Sequence, residues 1–182
     1  IKYVYYDKLL PAFGMTNAQA GFLLSAYAVG CLILYIPGGI LADKFSAKKM
    51  LVLSLVGTGI LGFVMAFSMN YITAMIVFFL FAVTTSFVFW TALNKGLRLL
   101  GGKDNSGSTY GWYYALGSVI SLVCSFIFWG LYASTDDNHD AMFRTIIGMS
   151  VAVIIAAVFV QITFKESETE EGQLAEEDRF KI

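Results

Sequence analysis

Charged side chains fall in five clusters along the chain, at residues 2–8, 43–49, 95–104, 136–144 and 165–181. Between them, residues 9–42, 51–94, 105–135 and 145–164 contain no Asp, Glu, Lys or Arg. A membrane-spanning helix needs about 20 mostly apolar residues, and each of these stretches is long enough. The stretch 51–94 is long enough for two helices, with Ser68-Met69-Asn70-Tyr71 as the turn between them. The pattern predicts five spans, near 17–42, 48–68, 71–96, 107–132 and 144–164. A soluble reading would require a core without a charged rim over four long segments, which the apolar runs argue against. The predicted class is an all-α polytopic membrane protein.

Composition agrees. Of 182 residues, 58% are hydrophobic and 14% charged, against about 25% charged in soluble domains. The net charge of −1 argues for no particular partner, and no nucleic-acid partner is expected. The acidic excess sits in the tail, where Glu166, Glu168, Glu170, Glu171, Glu176, Glu177 and Asp178 read as a solvated linker. Cys31 and Cys124 lie inside predicted spans, apart from any His or second Cys. They read as small packing residues, not as a disulfide or metal site. No signal peptide is recognisable, and Ile1–Tyr6 reads as the end of an earlier segment.

Loop charge orients the spans, because short cytoplasmic loops are enriched in Lys and Arg. Lys44, Lys48 and Lys49 fall between the first two spans, and Lys95, Arg98 and Lys103 between the third and fourth. On the other side, the turn at Met69–Tyr71 is uncharged, and Asp136, Asp137, His139 and Asp140 face a single Arg144. Residues 1–15 are therefore expected outside and the acidic tail inside. His139, the sole histidine, is expected in an exposed outer loop rather than in a proton relay.

Small residues recur every four positions: Ser54, Thr58, Gly62 and Ala66; Gly117, Ser121 and Ser125; Gly148, Ala152 and Ala156. Lipid gives helices no hydrophobic reason to associate, so close approach through such residues supplies much of the attraction. These stripes indicate a tight bundle and do not specify a function.

The connection Gly39-Ile40-Leu41-Ala42-Asp43-Lys44-Phe45-Ser46-Ala47-Lys48-Lys49 is more informative. Asp43 sits at a helix C-terminus, and Lys48 and Lys49 sit at the next N-terminus. Both placements oppose the helix dipole, by up to about 1 kcal/mol for each charge. The lysines follow from the positive-inside bias, whereas Asp43 calls for a partner beyond its own helix pair. This segment resembles the signature loop of the major facilitator superfamily, roughly G-x-L-A-D-R-x-G-R-R/K. It matches at Gly39, Leu41, Ala42, Asp43 and Lys48, conservatively at Lys44, and departs at Ser46 and Ala47. Ser46 could replace the usual glycine as an N-cap.

The resemblance implies that these are helices two to six of an N-terminal six-helix half. Residues 1–16 would be an outer segment following the first helix, 17–164 a five-helix bundle, and 165–182 the start of the central cytoplasmic linker. It also implies that Gly39, Asp43, Lys44, Lys48 and Lys49 belong to a cytoplasmic latch between two halves. The third span has no Arg before Arg98 and the fourth no Gly-Pro pair, unlike the drug–proton antiporter branches. No Pro-Glu-Ser-Pro-Arg-like sequence follows the last span, unlike the sugar porters.

In the family, the first and fourth helices line the central cavity, so residues 71–96 carry the substrate expectation here. At about 100° per residue, Thr91, Asn94, Lys95 and Arg98 all fall within roughly 80° of Thr84. This stripe fits a cavity wall, hydrogen bonding between helices, or snorkelling of Lys95 and Arg98. As a cavity wall it would be positive at its inner end and favour an organic anion. Trp90 and Trp112 could stack on a sugar or aromatic solute, with interface anchoring the alternative for Trp112. No intramembrane carboxylate, nucleotide-binding loop or cofactor motif is present. The resemblance implies transport of a small organic solute by alternating access, secondary active or facilitated, in a plasma (inner) membrane. The partners would be the bilayer, the solute and the remaining half. A solute sensor that does not transport is the alternative, and a membrane enzyme lacks the clustered side chains for chemistry.

Overall fold

The computed structural model describes residues 6–164, apart from the side chains of residues 6–7, 41–44, 98–100, 102–104 and 106. The described chain is helical, with no strand among the described residues. Helix α1 spans Tyr6–Phe13, α2 Asn17–Lys44, α3 Ala47–Phe67 and α4 Tyr71–Phe81. A π-helical segment, Ala82–Trp90, continues α4 into α5, Thr91–Ala133, and α6 covers Asn138–Thr163. Five segments are long and apolar enough to cross a membrane: Asn17–Ile40, Ala47–Phe67, Tyr71–Leu97, Gly107–Ala133 and Asn138–Thr163. These are the five spans expected from the charge pattern.

Local chemistry sets the ends. Helix α1 closes in a Schellman motif, with Met15 N–H donating to the Leu10 carbonyl at 2.9 Å and Gly14 N–H to the Pro11 carbonyl at 3.3 Å. Gly14 takes φ +60°, which glycine adopts without steric cost. Thr16 and Gln19 then form a capping box: Thr16 N–H donates to Gln19 Oε1 at 2.9 Å, and Gln19 N–H to Thr16 Oγ1 at 3.3 Å. Ser46 caps α3 by accepting from Lys49 N–H at 3.2 Å, so it does the work expected of it in place of glycine. Asn70 caps α4 by accepting from Thr73 N–H at 2.9 Å.

Three details differ from the sequence expectation. The segment expected outside, before the first span, contains a helix, α1, whose Leu9, Ala12 and Phe13 are buried in one core cluster with Met65, Val77, Met142 and Ile146. The last span begins at Asn138 instead of 144, because Asp137 accepts from the His139 and Asp140 amides and starts the helix early. His139 is thus exposed in the first turn of α6, not in a loop.

The third difference concerns the connection between the third and fourth spans, which is helical throughout. The Tyr110 hydroxyl nevertheless donates to the Asn94 carbonyl at 3.2 Å. Sixteen residues of straight helix would hold these positions about 24 Å apart, so the axis of α5 turns back on itself between them. The Gly101-Gly102 pair lies in this bend, and glycine pairs are a recognised cause of sharp kinks. Consistently, Gly96 lies beside Phe164 at the end of α6, while Leu131 and Phe128 lie beside Gly148 nearer its start. The two arms, ending at Leu97 and starting at Gly107, are antiparallel.

Helix α3 packs most extensively on α6, and α2 on the π segment. A Cβ on Gly62 would stand 2.1 Å from Ser150 Oγ, and one on Gly59 2.5 Å from the Ile154 side chain. Across the other seam, a Cβ on Gly30 would come 2.9 Å from Ala82 Cβ, and one on Gly38 2.5 Å from the Phe87 carbonyl oxygen. Close backbone approach through glycine is the packing device at both seams.

Candidate functional site

The π segment decides which polar side chains of the third span share a face. Thr85 and Thr84 both direct their hydroxyls at the Phe81 carbonyl, the acceptor an α-helix would give to the Thr85 amide. Side-chain competition of this kind loosens the i→i−4 ladder, and the wider i→i+5 turn follows. A π-turn rotates roughly 15° less per residue than an α-turn. Over the seven residues from Thr84 to Thr91, that removes the alignment computed for a uniform α-helix.

The expected stripe is accordingly divided among several neighbours. Thr84 turns toward α3, where it accepts a hydrogen bond from Thr58 Oγ1 at 3.0 Å. Thr91 is buried and returns its hydroxyl to the Phe87 and Val88 carbonyls. Asn94 Nδ2 donates to the Tyr35 hydroxyl of α2 at 3.4 Å. Lys95 Nζ donates to the Phe45 carbonyl at 3.1 Å, just past the C-terminus of α2, where a cation is favoured. The Arg98 side chain lies outside the described residues, as do those of Asp43 and Lys44. Thr85, absent from the expected stripe, shares a 2.9 Å hydrogen bond with the Tyr27 hydroxyl of α2.

At the signature turn, Lys48 is partly buried and Lys49 exposed at the start of α3. Gly39 has open space where a Cβ would sit, whereas its neighbour Gly38 makes the tight contact with Phe87. Lys95 ties this turn to the arm ending at Leu97, so two groups that the sequence suggested separately meet at one end of the bundle.

A groove of about 520 Å³ opens between the end of the π segment and the second arm of α5. Its walls carry Trp90, Tyr113, Tyr114, Ser118, Ser121 and Ser125, with Gly117 among them. Its volume falls within the about 300–1,000 Å³ usual for small-molecule sites. The Tyr113 and Tyr114 rings meet edge to face at 5.3 Å, and Phe89 and Trp90 at 5.9 Å. Ser118 donates its hydroxyl to the Tyr114 carbonyl and Ser125 to the Ser121 carbonyl, each at 2.8 Å. Sequence reasoning included Gly117, Ser121 and Ser125 as a packing stripe and Trp90 as a stacking candidate. Their convergence with Tyr113 and Tyr114 depends on the reversal at 97–107, which the charged cluster between the third and fourth spans indicated, and on the phase of the two arms, which it did not. Among the described residues, no group of His, Cys, Asp and Glu could hold a metal.

Residues 4–181 match the family model of the Major Facilitator Superfamily, and the chain belongs to that family. It is 29% identical to "Inner membrane protein YqcE" of Escherichia coli over 159 residues, covering 87% of this chain and 37% of that protein. It is 25% identical to "Inner membrane protein YihN" of the same organism over 126 residues, covering 69% of this chain and 30% of that protein. The chain thus spans about a third of the length of the curated relatives it matches. No solved structure matches it. The family membership and the five apolar helices identify an integral membrane protein of a solute-transport family.

Proposed function

We propose that this chain forms helices two to six of the N-terminal half of a transporter that moves a small organic solute by alternating access. Transport would be secondary active or facilitated, in a plasma (inner) membrane, with the signature turn and the tail on the cytoplasmic side. Six basic residues of the short connections on one side, against Arg144 alone on the other, support that orientation. The observation that carries the reading is the groove beside Trp90, placed against the family match. It is a hydroxyl- and aromatic-lined recess on a membrane-spanning arm, of a volume usual for small-molecule sites. With no Asp or Glu in residues 9–42, 51–94, 105–135 or 145–164, any proton or ion coupling uses groups elsewhere in the protein.

The Lys95–Phe45 contact supports a gating part for the signature turn, because it fastens the turn to the arm that carries Trp90. Asp43, Lys44, Lys48 and Lys49 would act there in holding the two halves together in one of the access states. Solute uptake by the protein carrying this chain, reconstituted in liposomes, tests the reading. Asp43→Asn is expected to lower the uptake rate at least tenfold while leaving solute binding in place. Uptake unchanged by Asp43→Asn would remove the latch from the mechanism, and binding without uptake of any bound solute would remove transport itself.

A further inference from the structure

A π-helix is rare and appears mostly as a single turn inside an α-helix, frequently at a functional site. Ala82–Trp90 keeps that pitch over nine residues, so contacts outside the segment must help to hold it. Two such contacts are present. The Thr85 hydroxyl meets both the Phe81 carbonyl and the Tyr27 hydroxyl of α2, and the Thr84 hydroxyl accepts from Thr58 of α3. Hydrogen bonds between membrane helices are individually weak, so the hold is light.

Interdigitated side chains do not fix the phase where the neighbours come closest. Gly30 lies against Ala82, Gly38 against the Phe87 backbone and Gly57 against Thr84. Helices lock their relative phase by setting ridges of side chains into grooves, and a glycine surface offers no ridge. Ser54 lies one turn from Thr58 on the same face of α3, and its buried hydroxyl has no hydrogen-bond partner among the described residues. The α3 face that meets the segment is therefore incompletely satisfied at the π pitch.

What the pitch controls lies just beyond it. Asn94 donates to Tyr35, and Lys95 to the Phe45 carbonyl at the signature turn. Return of one π-turn to α pitch adds roughly 15° at each of about four residues, which turns Thr91–Leu97 by about 60°. A side-chain tip about 5–6 Å from the helix axis then travels about 5–6 Å, beyond hydrogen-bond reach. Gly101 and Gly102 follow this piece in the bend before the second arm of α5, where a glycine pair can take up the rotation.

We infer that Ala82–Trp90 is a pitch switch, in which loss of the Thr84 and Thr85 hydroxyl bonds returns the segment toward α pitch and withdraws Lys95 from the signature turn. The switch deepens the gating reading of that turn and rests on it for its effect on transport. The change of pitch itself stands on the hydrogen bonds of the segment.

The test uses the purified protein that carries this chain, in lipid nanodiscs. Acetylation of Lys95 by a water-soluble reagent is followed by peptide mass spectrometry, with exposed Lys49 as the internal standard. Thr85→Val keeps the shape of the side chain and removes its hydroxyl; Lys95 acetylation relative to Lys49 is expected to rise at least threefold. Thr85→Ser keeps the hydroxyl and should stay close to the unaltered protein. Ser54→Ala removes the unpaired hydroxyl and so favours the π pitch; added to Thr85→Val, it should reverse part of the rise. Should Thr85→Val fail to fold, Thr58→Val, which removes only the bond from α3, carries the same expectation at smaller size. Lys95 acetylation unmoved by both Thr85→Val and Thr58→Val overturns the switch. So does a rise with Thr85→Ser equal to that with Thr85→Val, which would trace the effect to packing. Unchanged uptake in a Thr85→Val protein whose Lys95 is released upholds the switch and overturns gating by the turn. Uptake lowered by Asp43→Asn, with Lys95 unmoved by Thr85→Val, upholds gating and overturns the switch.

Discussion

Helix α3 and the second arm of α5 carry the same small-residue spacing and use it in opposite ways. In α3, Ser54 and Gly62 are buried, and a Cβ on Gly62 would overlap Ser150 of α6. In α5, Gly117 has nothing within 4 Å, and no residue from Gly107 to Ala133 is buried. The difference lies in the neighbours. The bend at 97–107 swings this arm to the edge of the bundle, where its C-terminal part meets α6 through Leu131 and Phe128 near Gly148. The rest of its length, including the groove, faces away from the packed core. Small residues every four positions therefore mark a surface that permits close approach. Whether that surface meets a helix or a solute depends on the fold around it.

The comparison can be broken by substituting across it, with stability read as unfolding in detergent micelles. The largest effect is expected at the α2–π seam, where Gly38→Ala sets a methyl group 2.5 Å from the Phe87 carbonyl oxygen. Backbone cannot rotate away as a side chain can, and the cost should reach about 3 kcal/mol, the upper part of the overpacking range. A cost near zero would mean that the π segment and α2 slide freely. Gly62→Val comes next, at about 1–3 kcal/mol, because Ser150 Oγ can turn aside only by giving up its 2.8 Å hydrogen bond to the Ile146 carbonyl.

Smaller still is the coupling between Thr58 and Thr84, whose hydroxyls meet at 3.0 Å. A double-mutant cycle with Thr58→Val and Thr84→Val should return about 0.6 kcal/mol, the mean for hydrogen bonds between membrane helices. Absence of coupling would free Thr84 for the cavity role that the sequence stripe allowed. Gly117→Ala closes the series, with a stability change within about 0.5 kcal/mol. A larger loss there would show that the arm is packed in the intact protein and that the contrast with α3 does not hold.

Much of the fold was legible because it rests on where charge is forbidden. Charge-free stretches of spanning length must be helical in lipid, since the backbone has no other partners there. The capping side chains Ser46 and Asn70 sit at the predicted helix starts for the same local reasons. The early start of α6 shows the limit of that reasoning: charge bounded the apolar stretch, but Asp137 as N-cap bounded the helix. The candidate site was less legible. Thr84, Thr91, Asn94 and Lys95 form one stripe only on a uniform α-helix, and the π segment Ala82–Trp90 lies in the middle of them.

By itself, then, the sequence determined the number of spans, their alternation, the basic side and the family resemblance carried by Gly39, Asp43 and Lys48. Each of these depends on local composition and on the cost of placing charge or unpaired backbone in lipid. The tertiary structure alone decided which glycines are tight, where the threonine hydroxyls go, and that Trp90 faces Tyr113, Tyr114 and the serines of α5. Those outcomes follow from a change of helical pitch and a reversal of axis. Both alter the phase of every residue beyond them, so no periodicity read along the chain carries across.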